Sequence, residues 1–182
     1  MTVTDKQLIT AEQLLRMPRT GRRELIAGEV REMTPAGHAH GRIAGRLHTL
    51  LGAHVEGRGL GTVYAAETGF LLAREPDTVR APDVAFVVRD RVIDDAPGYF
   101  PGPPDLAAEV VSPDERVQDV EEKARAWLDS GTRLVWVVWP NTRTVSVYRP
   151  GEPVQTFRED EELDGGDVVA DFRCGVGAIF AK

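Results

Sequence analysis

The sequence predicts one α/β domain built on a central mixed β-sheet with helices packed around it. An apolar run at residues 134–138 is typical of a strand that is covered on both faces. The helical pattern at 117–129 precedes it and follows an apolar strand at 106–111, which predicts a β-α-β unit. The 182 residues, 42% of them hydrophobic, suffice for one core, so we expect a single domain over residues 1–182.

The N-terminal elements are predicted in chain order from their start and stop signals. Thr10 is the expected N-cap of a short first helix that stops at Pro18. Two extended stretches within residues 23–33 surround Ala27 and Gly28, which predicts a tight hairpin. Apolar residues at helical spacing between 40 and 55 then predict a second helix.

Five strands and a third helix are expected after residue 60. The strands are predicted at 62–72, 83–88, 106–111, 133–139 and 144–149, and the helix at 117–129, with Gly131 as its natural stop. The alternating pattern at 145–148 favours an edge strand, and the acidic run at 159–162 favours a solvated loop.

Three glycines fall on one side of the second helix: Gly41, Gly45 and Gly52. Each costs about 1 kcal/mol relative to alanine in a helix interior. They indicate either a smooth face for close backbone approach or a frayed or broken helix. His40 and His54 project on the apolar side, where a core or boundary histidine is the usual interpretation and a role near a site is the alternative for His40.

Composition excludes several classes of protein. One cysteine, Cys174, permits no internal disulfide, and we interpret it as a structural residue rather than a nucleophile. No signal-peptide pattern or membrane-length apolar run is present, so we expect a cytoplasmic protein. The net charge of −7 argues against a nonspecific nucleic-acid coat, although residues 1–60 carry nine Lys and Arg against six Asp and Glu.

Two carboxylates in apolar strands are the candidate site. Asp83 begins the strand at 83–88, and Glu109 interrupts the one at 106–111. An uncompensated buried charge costs about 2–5 kcal/mol, so both residues require a partner, a proton or a metal. If the strands are neighbours about 4.8 Å apart, the carboxylates can converge on one hard cation such as Mg²⁺. Such an ion can polarise a phosphoryl oxygen and activate a water molecule for attack.

A lysine beside that ion would complete the constellation. Position 111 shares the face of Glu109, but it is Val111. The next lysine, Lys123, lies at the border of the apolar face of the third helix, from which a long side chain can reach the sheet. The alternative is an ordinary surface pair between Lys123 and Asp119, worth about 0.3–0.5 kcal/mol.

The same residues carry a resemblance to a known family. In chain order the sequence has Glu24-Leu25-Ile26-x-Gly28-Glu29, a histidine-containing helix, Pro82-Asp83-Val84, Pro104-Asp105-Leu106-x-x-Glu109-Val110-Val111, a helix with Lys123 and the apolar run at 134–138. This order resembles the Uma-two family of putative restriction endonucleases over about residues 8–180.

The resemblance implies the restriction-endonuclease-like fold of the PD-(D/E)xK nucleases. It also implies that Asp83 and Glu109 are metal ligands, that Lys123 replaces the lysine missing at Val111, and that Glu24 either lies near the site or only shapes the hairpin.

The resulting hypothesis is an endonuclease that hydrolyses DNA phosphodiester bonds with Mg²⁺, or with Mn²⁺ as a substitute. A non-catalytic nucleic-acid-binding or protein-interaction module on the same fold is the alternative, and a hydrolase of another phosphate ester is a third possibility. A homodimer would suit cleavage of both strands, with the glycine face of the second helix as a candidate surface.

Overall fold

The computed structural model describes residues 8–18, 21–93 and 97–182. Its helices are α1 (Ala11–Arg16), α2 (His38–Arg58), α3 (Val117–Asp129) and α4 (Val176–Phe180). Its strands are β1 (Arg22–Ile26), β2 (Glu29–Met33), β3 (Gly61–Ala65), β4 (Phe70–Ala73), β5 (Thr78–Arg80), β6 (Val84–Val88), β7 (Phe100–Pro101), β8 (Leu106–Val110), β9 (Leu134–Trp139), β10 (Thr144–Tyr148), β11 (Gln155–Phe157), β12 (Glu162–Asp164) and β13 (Arg173–Gly175).

The central sheet is mixed, as the sequence predicts. Its six strands run in the order β11-β10-β9-β8-β6-β3. The pair β8 and β9 is parallel and is joined by α3, whereas the other pairs are antiparallel. The predicted β-α-β unit is therefore confirmed, and it places Glu109 on the strand that lies between β6 and β9.

Both faces of this sheet are covered, because successive side chains of a strand point to opposite sides. Val84 and Phe86 of β6 belong to a core shared with α2 and the C-terminal segment. Ala85 and Val87 belong to a second core formed with α3 and its buried Trp127. Asp83 and Glu109 have the parity of the second set and are thus expected on the α3 side.

A second sheet carries the N-terminal hairpin beside the central one. Its order is β2-β1-β5-β4-β7, and the β1–β2 turn lies at Ala27 and Gly28, as predicted. The first helix is also confirmed: the Thr10 side chain accepts from the Gln13 N–H in a capping box. Leu14 of α1 packs against Leu25 and so fixes the helix on this sheet.

The second helix is continuous over 21 residues despite its glycines. A Cβ atom built at Gly41, Gly45 or Gly52 would meet nothing within 4 Å outside the local helix. The interpretation as a broken helix is therefore wrong, and burial of Leu47 and Leu51 on the opposite side explains why the helix persists.

One predicted strand is wrong. The stretch at 62–72 consists of two strands, β3 and β4, that belong to different sheets. The chain turns between them, with Glu67 at a φ of 69°. The predicted loop at 159–162 also ends in β12, where Glu162 pairs with Gly175. Within the described residues, no helix is long and apolar enough to cross a membrane.

Candidate active site

Asp83 and Glu109 face each other across two neighbouring strands. The antiparallel ladder of β6 and β8 ends at the pair of Val84 and Ala108, so Asp83 and Glu109 lie at the same end of the two strands. The Asp83 N–H donates to the Ala108 carbonyl at 3.0 Å, and the Val110 N–H donates to Asp83 Oδ2 at 2.8 Å. The backbone of β8 thus holds the Asp83 carboxylate beside Glu109.

The Glu109 carboxylate is held by two donors on α3. Lys123 Nζ donates to Oε2 at 2.8 Å, and Trp127 Nε1 donates to Oε1 at 2.8 Å. Lys123 and Trp127 are one helical turn apart, so both reach the same carboxylate from one side of α3. Every oxygen of this buried acid therefore has a donor.

The structure decides between the two interpretations of Lys123. Asp119 is paired with Arg116 at 3.1 Å, whereas the Lys123 ammonium lies on Glu109 with only 16% of its side chain exposed. Val111 is buried in the α3-side core and supplies no amine. The amine beside Glu109 therefore comes from Lys123 of α3 and not from position 111 of the strand.

Burial and neighbouring charges shift the acid–base properties of this cluster. Burial raises the pKa of Glu109 to about 7, and the Asp83 charge adds to this effect although Lys123 and Trp127 oppose it. Burial alone would lower the pKa of Lys123, but the carboxylates of Glu109, Glu24 and Asp83 outweigh it and raise that pKa. The ammonium therefore stays charged inside the protein.

Asp83 has its own cationic partners. His40 Nε2 lies 3.1 Å from Asp83 Oδ2, and Arg22 Nη1 lies 3.5 Å from Oδ1. Burial opposes ionisation of Asp83, but the His40 hydrogen bond and charge, the Val110 N–H and the Lys123 charge hold its pKa below the usual range. The same hydrogen bond raises the pKa of His40. His40 thus lies at the site, whereas His54 contacts the Ala170 carbonyl and Phe172 elsewhere.

Glu24 of β1 contacts the segment that leads into Asp83. Its Oε1 accepts from the Ala81 N–H at 3.1 Å, and its Oε2 lies 3.5 Å from Arg80. Arg22, on the same face of β1, donates to the Ala81 carbonyl at 2.8 Å. Glu24 and Arg22 of β1 therefore bind the N–H and the carbonyl of Ala81, two residues before Asp83.

The donor set suits a hard divalent cation. Mg²⁺ is commonly bound through one or two carboxylates and retains several waters, which matches two facing acids rather than a full protein cage. Within residues 8–18, 21–93 and 97–182, no group of three or more His, Cys, Asp and Glu side chains has the arrangement of a metal site. The residues that fit are Asp83 and Glu109, whose oxygens contact His40 and Lys123 in this structure.

Two members of the cluster have no clear signal in the sequence. Trp127 is recognisable as a core residue of α3, but its hydrogen bond to Glu109 depends on how the helix crosses the sheet. Arg22 is one of two adjacent arginines in β1, and only its parity with Glu24 hints that it faces the site.

Comparison with known proteins identifies the family of the chain. The model of the Uma2 family, described as putative restriction endonuclease, matches residues 11–177. The chain therefore belongs to this family. No curated protein matches the chain.

The fold is also found in a solved structure. The chain is similar to a putative nuclease of the DUF820 family from Anabaena variabilis ATCC 29413, with a TM-score of 0.81 and 21% identity over 94% of this chain and 97% of that one. This likeness confirms the predicted nuclease-like fold.

Proposed function

We propose that this protein is a Mg²⁺-dependent endonuclease that hydrolyses DNA phosphodiester bonds, with Mn²⁺ as a substitute ion. The observation that carries the proposal is the 2.8 Å contact between Lys123 and Glu109, on the strand beside Asp83. This ion pair places a buried ammonium on one of two neighbouring carboxylates, in a member of a family described as putative restriction endonucleases.

Each residue has a distinct role in this proposal. Asp83 and Glu109 would hold the ion, which when bound would polarise a phosphoryl oxygen and lower the pKa of a water molecule. Lys123 would orient the attacking water or neutralise charge that develops on the phosphate, and its raised pKa keeps it cationic. Glu24 would support them by holding Ala81 in place.

Cleavage of supercoiled plasmid with Mg²⁺ or Mn²⁺ tests the proposal. We expect Asp83→Asn, Glu109→Gln and Lys123→Met to reduce the rate by a factor on the order of 10² or more, because each removes a charge from the reacting centre. Asp105→Asn is the matched control. Asp105 is also buried, but it accepts from the Val88 N–H and pairs with Arg91, so its loss should leave cleavage nearly unchanged.

Two results would contradict the proposal. One is equal cutting by wild type and Asp83→Asn, which would indicate a contaminating nuclease. The other is no cutting by folded wild type across divalent ions and DNA substrates.

A non-catalytic module is the second candidate, and the internal pairing of the site favours it. Asp83 is satisfied by His40 and Glu109 by Lys123, as expected for carboxylates kept as structural ion pairs. Isothermal titration with Mn²⁺ separates the two functions. An endonuclease should show binding that Glu109→Gln abolishes, whereas a purely structural pair should show none.

A two-fold dimer belongs to the same proposal, because an enzyme that cuts both strands benefits from matching symmetry. Gly41 and Gly45 on the glycine side of α2 are exposed, and a Cβ atom built at either would meet nothing within 4 Å outside the local helix, which leaves room for close approach. Sedimentation velocity should give twice the chain mass, and a monomer at all concentrations would refute the dimer.

A further inference from the structure

A cleft of about 940 Å³ opens beside Asp83 and His40. Its walls come from the end of α1, the β1–β2 hairpin, the N-terminal half of α2 and the turn between β3 and β4. Gly41 and Gly45 line it, so part of the glycine side of α2 faces this space. The volume is that of a typical small-molecule site, and it gives a substrate access to Asp83.

Arg22 lines this cleft, and some of its N–H groups have no hydrogen-bond acceptor among the described residues. Its Nη2 donates to the Ala81 carbonyl at 2.8 Å, and its Nη1 contact with Asp83 is long, at 3.5 Å. Its Nε is buried and has no hydrogen-bond partner among the described residues. A guanidinium carries five N–H groups, so these contacts leave several of them unused.

Arg23, the next residue, also lines the cleft but is already occupied. Its Nε donates to Glu32 at 3.2 Å and its Nη1 donates to the Pro18 carbonyl at 2.8 Å. Both arginines are mostly buried, with 15% and 14% of their side chains exposed. The difference between them is therefore their partners rather than their accessibility.

We propose that Arg22 binds a phosphate group of the substrate in this cleft, beside the carboxylate of Asp83. The inference rests on the proposed function and deepens it. A planar guanidinium matches phosphate oxygens bidentately, and its charge is permanent. A phosphate next to Asp83 would accept from the unused N–H groups on the Nη atoms, while the Ala81 contact keeps the guanidinium in position.

The test is calorimetric titration with thymidine 5′-monophosphate in excess Mn²⁺, with thymidine as the ligand that lacks the phosphate. Wild type should bind the monophosphate more tightly than thymidine. Arg22→Gln should weaken monophosphate binding at least about tenfold, and Arg22→Lys should lose part of that affinity. Arg23→Gln should change it by less than about twofold, since Arg23 is held by Glu32 and Pro18.

Three outcomes would overturn the inference. The first is a wild type that does not prefer the monophosphate over thymidine. The second is an equal loss in Arg22→Gln and Arg23→Gln, which would indicate only a diffuse positive field. The third is a loss of Mn²⁺ affinity in Arg22→Gln as large as the loss of monophosphate affinity, which would make Arg22 a strut for Asp83.

Plasmid cleavage separates this inference from the proposed function. Arg22-dependent monophosphate binding without any DNA cleavage would refute the endonuclease and uphold the phosphate site. Cleavage by Arg22→Gln with wild-type kcat/KM would refute the phosphate site and uphold the endonuclease.

Discussion

Two buried tryptophans allow a measurement of how firmly Glu109 is held. Trp127 and Trp136 are both fully buried, but only Trp127 donates its indole N–H to Glu109. The indole nitrogen of Trp136 has no hydrogen-bond partner among the described residues. Replacing each by phenylalanine removes a similar volume from a packed core, so the difference between the two variants reports the polar contributions of the two indole N–H groups.

The magnitude follows from the two contacts. Trp127→Phe loses a hydrogen bond to a charged acceptor, worth about 1.5–3 kcal/mol, in addition to packing. Trp136→Phe loses packing but also removes an unpaired buried donor, which returns about 1–3 kcal/mol. We therefore expect the free energy of unfolding to fall further in Trp127→Phe than in Trp136→Phe, by roughly 2.5–6 kcal/mol.

Urea unfolding above pH 7, followed by circular dichroism, measures this difference while Glu109 is ionised. A gap of this size is a large fraction of the 5–15 kcal/mol that stabilises a typical domain. Equal losses of unfolding free energy, or a larger loss in Trp136→Phe, would show that Trp127 does not anchor Glu109.

Three further predictions concern single residues. Because the pKa of Glu109 is about 7 in the folded chain and near 4.5 when unfolded, the folded state binds the extra proton between these values. The free energy of unfolding of the metal-free wild type, relative to that of Glu109→Gln, should thus fall by roughly 3 kcal/mol as pH rises from 4.5 to 7. If urea melts give a difference between the two proteins that does not change with pH, this prediction is wrong. Burial raises the pKa of the Cys174 thiol to about 11. The folded protein should therefore react with iodoacetamide at pH 8 far more slowly than the urea-unfolded chain. Equal rates would show an accessible thiolate. Thr10→Ala removes the α1 cap and should cost about 1 kcal/mol in thermal melts, whereas Thr49→Ala, which removes a hydroxyl that only bonds Gly45 within α2, should cost less.

The central sheet and the acidic pair are predictable because their signals are local. A glutamate within an apolar strand is anomalous wherever that strand is placed. Strand parity puts residue 111 on the same face as Glu109, and because this residue is Val111, the amine must come from another element. The helical pattern of α3 places Lys123 at the edge of its buried face. In the structure Lys123 reaches Glu109 from this edge of α3.

The rest of the site depends on contacts between distant segments. Arg22 and Asp83 are 61 residues apart, and nothing in the run Arg22-Arg23-Glu24 shows which charge will face which partner. The strands β5, β7, β11, β12 and β13 have two or three residues each, too few for an alternating pattern to be recognised. The prediction of a single strand at 62–72 is wrong because the residues on both sides of the turn have a composition typical of strands. The pattern therefore does not show where the first strand ends.

In the proposed function, Asp83 and Glu109 share a divalent ion beside Lys123. The most direct test is a crystal structure of the protein soaked in Mn²⁺, with anomalous diffraction to locate the metal. We expect an anomalous peak bound by the carboxylates of Asp83 and Glu109, with Lys123 Nζ close to a water on that ion. A fully soaked crystal with no peak between these two residues, or with its only peak elsewhere, would contradict it.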